Sequence, residues 1–93
     1  MKRVTEYELQ SVVNGLNLMT SNPVETYRRD EQGELIANVG NYHLDYAYGK
    51  VRLVQIDNSC GGIRTLTEYG TKRETYNAIT AYYNGYIVGL TGK

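Results

Sequence analysis

The sequence has few of the residues that specialised sites require. Its 93 residues include no tryptophan or phenylalanine, one cysteine, one histidine and one proline. A single cysteine forms no internal disulfide, and with one histidine it cannot supply the three or four ligands of a Cys/His zinc site. We therefore expect no metal site and no bound cofactor.

Excess charge and long apolar runs are also missing. Ten Lys and Arg residues balance ten Asp and Glu residues, so the chain lacks the charge of a strongly basic nucleic-acid binder or of an acidic DNA mimic. No apolar run approaches the ~18 residues of a membrane span. The start Met1-Lys2-Arg3 leads into polar residues instead of a signal-peptide core. These features predict one cytoplasmic domain over residues 1–93, with no membrane partner.

Tyrosine is the one abundant aromatic residue. The chain has ten tyrosines: Tyr7, Tyr27, Tyr42, Tyr46, Tyr48, Tyr69, Tyr76, Tyr82, Tyr83 and Tyr86. Tyrosine combines a large contact area with a polar tip, so it suits both a shallow core and a binding interface. The sequence leaves both interpretations open.

The first predicted element is a helix that begins after Thr5. Thr5 and Glu8 have the spacing of a capping box. An apolar stripe at helical spacing follows: Leu9, Val12, Val13, Leu16 and Met19. We expect the helix to end at Ser21-Asn22-Pro23, because a proline disfavours helical geometry at the residue before it. The polar segment 24–40 then predicts an irregular connection with a short edge strand.

Two alternating strands are predicted next, from Tyr42 to Tyr46 and from Val51 to Ile56. A two-residue turn at Tyr48-Gly49 joins them and places Asp45 opposite Arg52, a favourable pair of charges. One face is then apolar: Tyr42, Leu44, Tyr46, Val51 and Leu53. The reverse face is polar apart from Val54 and Ile56: His43, Asp45, Lys50 and Arg52.

A third strand and a second helix complete the predicted fold. The strand covers Ile63 to Thr67 and follows a glycine-rich turn. A second capping box at Thr71 to Glu74 opens the helix, and Asn84-Gly85 predicts its end, after which Tyr86, Ile87, Val88 and Leu90 fold back on the core. The order is helix, three-stranded antiparallel meander, helix. It predicts an α+β two-layer sandwich with both helices on one face of the sheet.

Catalysis has little support in this sequence. His43 is the one side chain with an ordinary pKa near neutrality, and Asp45, two residues later, has the spacing to orient its imidazole. No serine or cysteine in a sharp-turn motif stands beside the pair to act as a nucleophile. We therefore expect the protein not to be an enzyme.

The start of the second helix has the chemistry of an anion contact. Lys72 and Arg73 lie in its first turn, where the free amides and the helix dipole also favour anions. Double-stranded-RNA-binding domains have the same element order and place a basic helix N-terminus across the phosphates. Binding of structured nucleic acid is therefore one alternative, although this chain has no net positive charge.

Three motifs together resemble a widespread family of small uncharacterised proteins of tailed bacteriophages. They are Tyr46-Ala47-Tyr48-Gly49, Cys60-Gly61-Gly62-Ile63-Arg64 and Thr71-Lys72-Arg73-Glu74-Thr75-Tyr76, and the likeness spans residues 39–85. The resemblance implies a setting in the cytoplasm of an infected bacterium and assigns no activity. Small phage proteins of this kind commonly bind host machinery or block defence systems such as restriction or CRISPR.

The sequence thus predicts a non-enzymatic protein that acts by binding another protein. The partner is a host or phage protein, and a homodimer is one form of the interaction. Tyrosine is enriched at interface hot spots, which favours a Tyr-rich or mixed-charge surface. The candidate binding residues are His43, Tyr46, Tyr48, Arg52, Lys72 and Arg73.

Overall fold

Two helices and two small antiparallel sheets form the fold. The computed structural model describes residues 3–90, and the side chains of residues 3–85. In chain order the elements are α1 (Glu6–Met19), β1 (Tyr27–Arg29), β2 (Leu35–Ala37), β3 (Tyr42–Ala47), β4 (Lys50–Ile56), β5 (Ile63–Thr65) and α2 (Lys72–Leu90). The predicted α+β class and the helix, meander, helix order are confirmed.

Helix α1 begins as the sequence predicts. The Thr5 hydroxyl accepts from the Glu8 amide at 3.1 Å, and the Glu8 carboxylate accepts from the Thr5 amide at 2.9 Å. These two bonds satisfy amides that lack helical partners, as a capping box does. The helix ends at Met19, before Pro23.

The three-stranded sheet has the predicted register between β3 and β4. Its order is β3-β4-β5, and Asp45 pairs with Arg52 as expected. Both turn residues have positive φ, 56° at Tyr48 and 72° at Gly49, which makes the connection a type I′ turn. This turn type matches the right-handed twist of the strands, so it holds the predicted register.

Both helices pack on one face of this sheet. Helix α1 contacts β3, α2 contacts β4, and the helices contact each other. The buried cluster between the layers is Val4, Leu9, Val13, Leu16, Tyr42, Val51, Leu53 and Ile79. On the reverse face Val54 and Ile56 are also buried, so that face is not solvated along its whole length.

The predicted irregular connection over residues 24–40 is wrong. Its residues form a hairpin in which β1 pairs with β2, with Tyr27 opposite Ala37. The Asp30 carboxylate closes the turn by accepting from the amides of Gln32 and Glu34. Strands of three residues are too short to show a period, whereas the Asp30 turn supplies the geometry. The predicted edge strand exists as β2, but it pairs with β1 and not with the meander.

The predicted end of α2 is also wrong. The capping box at its start forms, since Thr71 and Glu74 bond reciprocally. The backbone then stays helical to Leu90, and Gly85 lacks the positive φ of a C-cap. A glycine inside a helix costs about 1 kcal/mol relative to alanine, which does not end the helix. The side chains of Tyr86, Ile87, Val88 and Leu90, expected to fold back, lie outside the described residues.

Strand β5 is shorter than predicted, because it ends at Thr65 and not at Thr67.

Within residues 3–90, neither helix combines the length and the apolar character needed to span a membrane.

Candidate protein-binding surface

The predicted binding residues occupy three parts of the fold. Tyr46 and Tyr48 lie at the tip of the β3-β4 hairpin, whereas His43 and Arg52 lie on the sheet face opposite the helices. Lys72 and Arg73 open α2. The structure brings Tyr46 and Lys72 together at one cleft, and it places the other residues around it or on the far face.

Tyr48 has an unfavourable backbone and no buried contact surface. Its φ is 56°, a left-handed conformation that costs a bulky residue about 1 kcal/mol, and Asn, Asp or Gly are the residues preferred at this turn position. Its side chain is 96% exposed. Within the described part of the chain, its hydroxyl makes no hydrogen bond. The fold therefore gains little from a tyrosine at this position.

A cleft of about 310 Å³ lies beside the hairpin tip. The start of α1, the hairpin and the start of α2 line it, with the residues Glu6, Tyr46, Gly49, Lys50, Val51, Gly70 and Lys72. The Tyr46 hydroxyl donates a hydrogen bond to Glu6 Oε2, and Lys72 Nζ lies 3.7 Å from Glu6 Oε1. Burial, and then the Glu6 carboxylate, raise the pKa of Tyr46, so this phenol remains a hydrogen-bond donor.

Sequence reasoning missed Glu6 and Lys50 as parts of this cleft. Glu6 has the ordinary signature of an acidic first-turn residue of α1. Lys50 follows the turn and has the signature of a solvated strand residue. Their common position depends on contacts between distant segments, and no local pattern reports those contacts.

Arg52 is held by contacts within the chain. Its Nε donates to Asp45 Oδ2 at 2.7 Å, and a terminal nitrogen donates to Thr65 Oγ1 at 3.0 Å. The guanidinium carbon lies 4.5 Å from the centroid of the Tyr69 ring, a cation–π geometry. The Tyr69 hydroxyl donates to Asp45 Oδ2 at 2.8 Å. Tyr69 was not among the predicted site residues.

The hydrogen bonds that Asp45 accepts lower its pKa. The hydrogen bond from Arg52, and then the one from Tyr69, lower the pKa of that carboxyl from 3.8. Asp45 is therefore ionised at neutral pH and holds Arg52 in place. The arrangement orders the sheet face below the hairpin tip.

His43 does not pair with Asp45. The side-chain amide nitrogen of Asn41 donates to the carbonyls of Pro23 and Val24. Its oxygen therefore faces His43 Nδ1 at 3.1 Å and accepts a hydrogen bond from it. Burial lowers the pKa of His43 from 6.5, and Asp45 opposes this shift. The imidazole is thus neutral at pH 7 with its proton on Nδ1. The carboxylate–imidazole pair that the spacing suggests is not formed.

The basic start of α2 stands beside carboxylates. Lys72 lies near Glu6, and the Glu74 carboxylate accepts from the Thr71 amide. Arg73 is exposed in the same turn. The positive charge at this helix end is therefore partly offset.

Among residues 3–85, no group of three or more His, Cys, Asp or Glu side chains is placed to hold a metal ion. Comparisons with protein-family models, with curated proteins and with solved structures give no match.

Proposed function

We propose that this protein is a non-enzymatic binding module that acts by binding another protein through the tip of its β3-β4 hairpin. The tip surface comprises Tyr46, Tyr48, Lys50 and Lys72. The observation that carries this proposal is Tyr48, which combines a left-handed backbone with 96% exposure.

The strained backbone and the exposed side chain of Tyr48 favour a role other than stabilising the fold. Unfavourable backbone conformations concentrate at functional sites, because the surrounding structure has to hold them. Here a type I′ turn and a paired hairpin hold the Tyr48 backbone. A partner that covers the ring gains the contact area of a tyrosine, a residue type enriched at interface hot spots. Binding also costs little entropy at Tyr48, because the hairpin already fixes its backbone.

The resemblance to tailed-phage proteins supports a setting for this activity. In that setting the partner is a host or phage protein in the bacterial cytoplasm, including components of defence systems such as restriction or CRISPR. The alternative protein partner is a second copy of this chain, with which it would form a homodimer. Sedimentation of the purified protein separates the homodimer from the monomer.

Replacement of Tyr48 by Asn separates folding from binding. Asparagine tolerates the left-handed region, so Tyr48→Asn should raise the free energy of unfolding by about 0.5–1 kcal/mol. It should also abolish capture of the partner, because the exposed ring is lost. Urea denaturation measures the first effect, and affinity capture from a bacterial lysate with quantitative mass spectrometry measures the second.

The matched control is Tyr27→Asn, which removes a half-exposed tyrosine from the separate β1-β2 sheet. This variant should capture the same partner as the wild type. The proposal is wrong if Tyr48→Asn captures the partner with undiminished yield. It is equally wrong if the wild type captures no protein and sediments as a monomer.

Binding of structured nucleic acid remains the alternative proposal. Its support is the exposure of Lys72 and Arg73 at the start of α2. A gel shift of duplex RNA in low salt that is lost in the double variant Lys72→Ala, Arg73→Ala would favour this alternative. The zero net charge of the chain favours the protein partner instead.

A further inference from the structure

Building on the proposed function, we infer that the cleft beside Tyr46 receives a carboxylate side chain of the protein partner. The occupant would be an aspartate or glutamate of the partner segment that covers the hairpin tip.

The chain itself shows which chemistry the cleft accepts. Glu6 supplies a carboxylate that takes a hydrogen bond from the Tyr46 hydroxyl and lies 3.7 Å from the Lys72 ammonium. A phenol donor and an ammonium thus already converge on one carboxylate. A partner carboxylate that replaces Glu6 would find the same two groups in place.

The charge of the cleft is not balanced by Glu6. Lys50 and Lys72 both line it, whereas Glu6 is its one acidic lining residue. Within residues 3–85, the Lys50 ammonium has no hydrogen-bond or ion-pair partner. Two ammonium groups against one carboxylate leave the cleft with a net positive charge, so it attracts a carboxylate and repels a cationic side chain.

Glu6 can be displaced at small cost. The side chains of Lys72 and Glu6 are 48% and 57% exposed, and exposed ion pairs of this kind contribute little to stability. Glu6 therefore acts as a competitor for the site. Its removal should strengthen the binding of an external carboxylate, the opposite of what loss of a ligand-binding residue would do.

A second cleft provides a control within the molecule. It has a volume of about 360 Å³ and is lined by Thr67, Glu68, Tyr69, Gly70, Glu74, Thr75 and Ala78. Its charged lining residues are the acidic Glu68 and Glu74. An acidic ligand should avoid this cleft, so the amide of Ala78 reports on unspecific binding.

The experiment is a titration of the ¹⁵N-labelled full chain, followed by NMR. The probes are penta-glutamate and penta-glutamine, each acetylated and amidated so that the side chains alone differ. We expect penta-glutamate to cause saturable shifts of the Gly49 and Val51 amides and none at Ala78. Penta-glutamine should leave all three unchanged, and added salt should weaken the binding of penta-glutamate.

Variants then test the sign of each contribution. Lys50→Gln and Lys72→Gln should each weaken penta-glutamate binding by about twofold to fivefold, the range expected for exposed charge pairs. Glu6→Gln should strengthen it by about twofold to fivefold for the same reason. Arg28→Gln, which removes an exposed cation from β1, is the matched control and should have no effect.

Three results would overturn the inference: no saturable shift with penta-glutamate, equal shifts with penta-glutamine, or weaker binding by Glu6→Gln. If any of them occurs while partner capture still depends on Tyr48, the proposed function stands and the carboxylate site is wrong. If the titration succeeds while Tyr48→Asn captures the partner fully, the site is supported and the role of the tip is wrong.

Discussion

The two ends of the β3-β4 hairpin use tyrosine in opposite ways. At the open end Tyr42 is 5% exposed; its backbone amide donates to Asn17 Oδ1 at 2.7 Å and its carbonyl accepts from Asn17 Nδ2 at 2.9 Å. Its hydroxyl lies 3.3 Å from that of Tyr82. At the tip Tyr48 is 96% exposed and lies in a strained turn. The fold thus holds Tyr42 through several contacts, whereas it leaves the side chain of Tyr48 exposed to solvent.

This difference shows why a count of tyrosines does not identify an interface. Both residues belong to the same hairpin, yet one adds to the core and the other adds nothing to it. Burial, and then the contact with Tyr82, raise the pKa of Tyr42 to about 12, and the two rings meet edge to face at 6.1 Å. Backbone conformation and hydrogen-bond partners separate the two roles.

The largest expected effect is at the open end. Asn17→Ala removes both hydrogen bonds to Tyr42 and leaves a buried amide and a buried carbonyl unpaired. Because an unpaired buried polar group costs about 1–3 kcal/mol, we expect a loss of about 2–4 kcal/mol in the free energy of unfolding. Urea denaturation at neutral pH measures it.

Asn14→Ala is the matched control for this prediction. Asn14 lies one turn earlier on α1 and bonds to Gln10 at the surface, so the change in stability should be below about 0.5 kcal/mol. Equal effects of the two alanine variants would show that the open end is not held by Asn17.

A smaller effect is expected in the middle of the hairpin, at Arg52. Arg52→Met keeps an unbranched side chain but loses the bonds to Asp45 and Thr65 and the stacking on Tyr69. We expect a loss of about 1–2 kcal/mol, the sum of a part-exposed ion pair and a cation–π contact. Denaturant unfolding of this variant, of Asp45→Asn and of the double variant gives the coupling between the two residues.

The contrasting result is a coupling near zero in that cycle. Such a result would mean that the Asp45-Arg52 pair does not stabilise the hairpin. Arg28→Met, on the exposed β1 strand, controls for removal of an arginine in general.

The open end and the tip also differ in how far the sequence predicts them. The register follows from the sequence, because alternation along two strands and the pair Asp45-Arg52 admit one pairing. The sequence identifies Tyr48 as a candidate, but its backbone strain is apparent only from the type of turn that the structure shows. The sequence does not identify Asn17, because it is a polar residue among the buried positions of α1 and its partner is 25 residues away.

Other features that the sequence does not predict also depend on distant contacts or on short strands. Tyr69 reaches the Arg52 guanidinium because the chain beyond β5 turns back to pair Gly70 with Val51, and no local period signals that return. The segment 24–40 hides its strands because they are short. Local signals such as capping boxes and alternation predict local structure, whereas the cleft and the charged face depend on contacts between distant segments.

The smallest expected effect is the response of stability to acid, which tests the open end and the middle of the hairpin in separate pH windows. Burial lowers the pKa of His43 near the open end, so the unfolded chain binds its proton more tightly and stability should fall as the pH drops below 6.5. Arg52 lowers the pKa of Asp45, whose stabilisation is complete above 3.8 and is lost as the pH falls through its folded-state pKa. Urea midpoints across this pH range should therefore show two declines, the first absent in His43→Gln and the second reduced in Asp45→Asn. If the first decline in the urea midpoint persists in His43→Gln, another group causes this pH dependence and the burial of His43 does not explain it.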